Sequence, residues 1–219
     1  MIDMLTVETA PVCDAVVIWM HGLGADGSDF PPTIPYLRLP EDLKIRFLFP
    51  NAPERPVTIN GGWVMRSWYD ILSMDNNGRE ISRDELRSSV DSISAIIQAQ
   101  TAAGIAPERI LLVGFSQGGA VAYETGLTYP QRIGGIVAMS TYLPRHLDEV
   151  APSAVKDLPI IALHGTMDDV VSLSMGESAV EQLSKVGYQP QWKTFPMGHE
   201  VSIESLNTLG RWMSERLHH

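Results

Sequence analysis

The chain has 219 residues, a formal net charge of −10, and 44 % hydrophobic against 19 % charged residues. That balance excludes a disordered chain and suits one domain, residues 1–219, with a sizeable core. Basic residues never cluster in runs longer than two, which argues against nucleic acid or anionic membrane partners, and no apolar run approaches the ~20 residues that would cross a bilayer. The first ten residues hold Asp3 and Glu8 but no Lys or Arg, so no secretory signal is expected. The lone Cys13 reads as a small packing residue in a reducing, cytoplasmic setting. The terminal His218 and His219 resemble a tag remnant and carry no functional weight.

Strands and helices then alternate. Residues 14–20 form a near-continuous apolar run with β-branched members, as a strand covered on both faces should. Residues 45–50 repeat the pattern. A stretch from Asn51 to Arg79, rich in Pro, Gly, Asn and Trp, reads as a long irregular loop. Residues 82–103 give the clearest helix: Ser82 and Glu85 match a capping box, Leu86, Val90, Ile93 and Ile97 share one stripe, and Gly104 stops it. Further strands are expected at 109–113, 134–140, 158–163 and 189–195, with helices from Ala120 to near Tyr129, at 175–185 and at 203–217. Such alternation predicts an α/β fold: a mostly parallel central sheet with helices on both faces.

Between the 109–113 strand and the next helix lies Gly114-Phe115-Ser116-Gln117-Gly118-Gly119. This is a G-x-S-x-G nucleophile elbow, a strained turn that lifts the serine Oγ clear of the backbone. Side chains at Gly114 or Gly118 would crowd the strand and helix that meet there. A serine needs a base to take its proton and an acid to hold that base in one tautomer. On this architecture they follow in the order serine, acid, histidine. Asp168 and Asp169 compete for the acid role in His164-Gly165-Thr166-Met167-Asp168-Asp169-Val170-Val171; Asp168 is better placed, midway between Gly165 and Val171. Of six histidines, His199 has the right position, after the last strand. His21 and His164 follow strands directly and suit loop hydrogen bonding, and His146 suits solvent. An imidazolium cannot accept the serine proton, so activity should fall on acidification.

The expected oxyanion donors are the backbone N–H of Gln117, after the nucleophile, and that of Leu23, in the His21-Gly22-Leu23-Gly24 loop after the first long strand. No H-E-x-x-H or cysteine cluster is present, and a dinucleotide reading of the His21-Gly22-Leu23-Gly24 loop is weak, so neither a metal nor a nucleotide cofactor is expected.

The motifs His21-Gly22-Leu23-Gly24-Ala25-Asp26-Gly27, Pro50-Asn51-Ala52-Pro53, Gly61-Gly62-Trp63, Ser67-Trp68-Tyr69-Asp70, the Ser116 elbow, His164-Gly165 with Asp168, and Gly198-His199 together resemble the carboxylesterase and acyl-protein thioesterase family of α/β-hydrolases, most of all its bacterial carboxylesterase branch. The resemblance implies an α/β-hydrolase fold without a large cap domain, a Ser116–Asp168–His199 triad, and an oxyanion hole at Leu23 and Gln117. It implies a serine carboxylesterase working through an acyl-enzyme, with acyl-protein thioesterase or lysophospholipase-like activity as the alternative; a non-catalytic acyl-ligand binding module is the remaining rival. Met20 and Met139 stand where the family usually has leucine, and Thr141 where a small residue is usual. Trp68, Tyr69, Ile71, Leu72 and Met74, on a lid-like loop, are expected to face Leu23, Met167 and Val170 across an apolar acyl groove of broad chain-length tolerance. The partner expected is a small ester or acylated substrate, and the scattered Trp and Met residues are compatible with a homodimer.

Overall fold

The computed structural model describes residues 2–75, 78–149 and 156–218. Asn76 and Asn77, within the expected loop, and His219, in the expected tag remnant, lie outside them. A seven-stranded sheet organises the fold. Its strands are β1 (Met4–Glu8), β2 (Ala15–Met20), β3 (Ile45–Pro50), β8 (Ile110–Phe115), β9 (Gly135–Met139), β10 (Ile160–Gly165) and β11 (Gln191–Phe195), in spatial order β1-β3-β2-β8-β9-β10-β11. All neighbours pair in parallel except β1, which runs antiparallel to β3 along one edge.

The alternation of side chains along each strand divides the core into two layers. On β2, Val16, Ile18 and Met20 join one layer, while Ala15, Val17 and Trp19 join the other. The first layer is covered by α1 (Arg83–Ala102), α2 (Gln117–Thr128) and α3 (Leu173–Lys185). The second is covered by α4 (Ile203–Leu217), through Leu206, Leu209, Trp212, Met213 and Leu217, with a short 3-10 turn at Pro31–Leu37 beside it. Placing helices on both faces leaves the carboxyl ends of the parallel strands as the open rim where loops gather.

The 51–79 stretch is more ordered than expected. It folds into two antiparallel hairpins, β4 (Glu54–Val57) with β5 (Trp63–Arg66), and β6 (Ile71–Asp75) with β7 (Gly78–Ile81). Gly61 and Gly62, at φ 68° and 81°, make the first turn. The expected capping box at α1 does not form. Ser82 makes no side-chain cap, and Glu85 instead accepts the Asp70 N–H at 2.6 Å and pairs with Arg55 at 2.9 Å, tying the helix to the hairpins. A capping box appears at α4, between Ser202 and Ser205.

Candidate active site

Three loops at the carboxyl ends of β8, β10 and β11 bring distant residues together. At the end of β8 the chain turns straight into α2, and Ser116 takes φ 55° and ψ −121°, a conformation that ordinary side chains avoid. The turn closes only because its flanks are bare. A Cβ on Gly114 would strike the Gly118 carbonyl, and one on Gly118 would lie 2.5 Å from the Met20 and His21 carbonyl oxygens. Thr141, after β9, donates from Oγ1 to the Ser116 carbonyl at 2.6 Å, and its methyl fills the space against Gly119. The loop carrying Thr141 is therefore a brace for the elbow.

His199 reaches over from the segment after β11. Its Nε2 lies 3.0 Å from Ser116 Oγ, and its Nδ1 lies 2.8 Å from Asp168 Oδ2. Since the carboxylate accepts the Nδ1 proton, Nε2 presents its lone pair to the serine hydroxyl. Asp168 has no exposed side-chain surface; its Oδ1 accepts the N–H groups of Val170 at 3.0 Å and Val171 at 2.8 Å. The two loop N–H groups thus hold one Asp168 rotamer, which orients the imidazole. The Phe115 ring packs on His199 with centroids 4.8 Å apart. Asp169 does not enter this hydrogen-bonded set.

The other histidines serve the frame. His21 is fully buried; its Nε2 accepts the Ala52 N–H at 3.0 Å, so its Nδ1 carries the proton and donates to the Gly22 carbonyl at 2.7 Å. Burial pushes its pKa below 6.5, partly offset by the Gly22 hydrogen bond. His164 donates from Nε2 to the Val171 carbonyl at 2.9 Å, and burial lowers its pKa too. These rings shape the loops bearing Leu23 and Asp168. His146 is exposed.

The N–H groups of Leu23 and Gln117 meet no acceptor among the described residues, and both residues line the cavity above Ser116. That cavity holds about 350 Å³. Of the expected groove residues it is bordered by Leu23, Ile71, Met74 and Val170. Trp68 and Tyr69 belong elsewhere: both are fully buried behind the cavity. Their polar atoms explain this placement. Trp68 donates from Nε1 to the His21 carbonyl at 2.9 Å, and Tyr69 shares a 2.8 Å hydroxyl contact with Tyr142. Leu72 and Met167 are exposed and do not border the cavity.

Several residues near the site escaped the sequence reading. Gln117, beyond its N–H, uses its side chain as a clasp: Oε1 accepts the Trp68 N–H at 2.8 Å and Nε2 donates to the Tyr69 carbonyl at 2.7 Å. A polar residue opening an otherwise apolar helix was the available signal. Asp29, Ile59, Asn60, Arg79 and Tyr142 also line the cavity, and no local pattern marks them.

A family model for phospholipase/carboxylesterase proteins matches residues 5–216. The acyl-protein thioesterase 1 of Neurospora crassa is 35 % identical over 93 % of this chain and 87 % of its own. The carboxylesterase SOBER1 of Arabidopsis thaliana is 34 % identical over 92 % of this chain and 90 % of its own. The crystal structure of SOBER1 superposes with a TM-score of 0.87, covering 93 % of this chain and 99 % of that one. With the α/β-hydrolase sheet and the serine elbow in place, the chain belongs to the phospholipase/carboxylesterase family of serine hydrolases.

Proposed function

We propose that the protein hydrolyses carboxylic esters, with Ser116 as nucleophile, His199 as general base and acid, Asp168 as its orienting carboxylate, and the Leu23 and Gln117 N–H groups as the oxyanion hole. The contact chain from Ser116 Oγ through His199 to Asp168, at 3.0 and 2.8 Å, carries this reading. Ser116 Oγ attacks the ester carbonyl as its proton passes to His199 Nε2. The tetrahedral oxyanion forms against the two N–H groups, where loss of one donor costs about 100- to 1000-fold in rate. His199 then protonates the departing alkoxide, leaving an acyl-serine. Water repeats the cycle in reverse order, giving its proton to His199 and releasing the acid.

A thioester would pass through the same steps with a thiolate leaving group, and the relatives include both carboxylesterases and acyl-protein thioesterases. Paired oxyester and thioester substrates of one acyl chain, compared by kcat/KM, decide which is preferred. Fluorophosphonate labelling tests the whole reading: Ser116 should be modified and activity lost together. A protein that stays unlabelled, or labels at another residue while activity disappears, overturns it. The alternative of a binding module without turnover predicts the first of those results.

The reading uses protein groups alone and calls for no cofactor. The apolar part of the cavity, around Leu23, Ile71, Met74 and Val170, supports acceptance of several acyl lengths, since each methylene contributes only about 1 kcal/mol. Among the described residues no helix is long and apolar enough to cross a membrane. A cytoplasmic site of action, a small ester or acylated substrate without a nucleic acid partner, and compatibility with a homodimer complete the proposal.

A further inference from the structure

Arg79, on β7, stands in the wall of the reaction cavity, and its contacts among the described residues include no carboxylate. Its Nη1 faces the Met175 Sδ at 3.0 Å, its Nη2 donates to the Val170 carbonyl at 2.6 Å, and its guanidinium carbon lies 4.6 Å from the Tyr142 ring centroid. A thioether and an aromatic face are weak partners for a full charge, and one carbonyl takes one N–H of a fork that carries several. Several other part-buried arginines are treated differently: Arg55, Arg109 and Arg145 each hold a carboxylate, from Glu85, Asp14 and Glu124, whereas Arg66 donates to the Ala52 carbonyl. In a chain with 26 acidic and 16 basic residues, acids to neutralise Arg79 are abundant, yet none of the described ones pairs with it.

Arg79 and Tyr142 also line an adjoining cleft of about 390 Å³, whose wall includes Arg83, Arg145 and His146. The carboxylate that borders the reaction cavity, Asp29, comes from the segment after β2, beside Ala25, and not from the β6–β7 hairpin.

We propose that Arg79 binds an anionic group of the substrate, so that the preferred esters carry a carboxylate on the part directed toward the β6–β7 hairpin. The guanidinium fork matches a carboxylate's two oxygens, and its Val170 and Met175 contacts hold it facing the cavity. The inference rests on the hydrolase reading above. The anionic group sits on either the acyl or the alcohol portion, and two substrate pairs separate these. Methyl hydrogen adipate against methyl hexanoate places the charge on the acyl side. 3-(Butanoyloxy)propanoate against butyl butanoate places it on the alcohol side.

In one pair the wild type should favour the anionic ester in kcat/KM. That preference should fall about tenfold or more in Arg79→Gln, mainly through KM, and be partly kept in Arg79→Lys. Equal preference in wild type and Arg79→Gln for both pairs overturns the inference. Binding of the same esters to Ser116→Ala, at about 0.05 and 0.5 M NaCl, requires no Arg79 variant and no turnover. Tighter binding of an anionic ester, weakened by salt, supports the site; binding indifferent to both charge and salt overturns it. Anion-dependent binding without wild-type turnover would remove the hydrolase reading alone. Turnover without anion preference would remove the Arg79 assignment alone.

Discussion

Asp168 divides its two oxygens between tasks. Oδ1 is spent on the Val170 and Val171 N–H groups, which fix the carboxylate in its own loop, while Oδ2 faces His199 Nδ1. An Asp168→Asn side chain has nearly the same volume but can turn an NH₂ toward that ring. The imidazole then adopts the other tautomer, and Nε2 holds a proton where it needs a lone pair. We expect kcat to drop about 10⁴-fold with the fold retained, checked by steady-state kinetics beside circular dichroism. Ser116→Ala should lower kcat by about 10⁴-fold or more; most of the turnover surviving would reject the nucleophile assignment. These three residues were legible in the sequence because the fold delivers them in chain order, each just past a strand. Arg79 and Asp29 were not, since it takes a hairpin and a loop folding over the rim to bring them to the cavity.

Elements are joined at the site by side chains that bridge them. The Gln117 clasp fastens the start of α2 to residues 67–69, the segment that leads into the β6–β7 hairpin and so into the cavity wall. Gln117→Ala would leave the buried Trp68 N–H without its acceptor, while the Tyr69 carbonyl keeps the Ser67 hydroxyl. A loss of roughly 1–3 kcal/mol in stability is expected, read from urea midpoints, together with weaker kcat/KM. Retained stability would mean that the segment is held by its other contacts alone, among them the Ser89 hydroxyl on the Trp68 carbonyl. The parallel strands announced themselves as doubly covered apolar runs. The hairpins did not: Trp63, Val64, Leu72 and Met74 are all exposed, so no alternation of buried and polar positions marks β5 or β6. The edge strand β1, with Leu5, Thr6 and Glu8 exposed, went unseen for the same reason. The Ser82–Glu85 spacing misled because tertiary partners, Asp70 and Arg55, claim Glu85.

At the scale of the whole molecule, two buried imidazoles couple stability to pH. Burial holds His21 and His164 below 6.5, so the unfolded chain takes up protons near that pH that the folded chain refuses until lower values. Their contribution is complete above about pH 6.5 and declines as the pH drops toward the folded-state values. Tm at about pH 5.5 should lie below Tm at about pH 7.5; identical melting temperatures would contradict the buried neutral rings. The sheet order has one more effect. His199 hangs from β11, which among the described residues pairs with β10 alone and closes the sheet at its border. Ser116 follows β8, in the sheet's middle. The base is thus mounted on an edge strand and the hydroxyl on an inner one, and edge strands open at lower free energy than core strands. Mild denaturant should silence the enzyme while most of its amide protons still resist exchange, so inactivation curves would run ahead of melting curves.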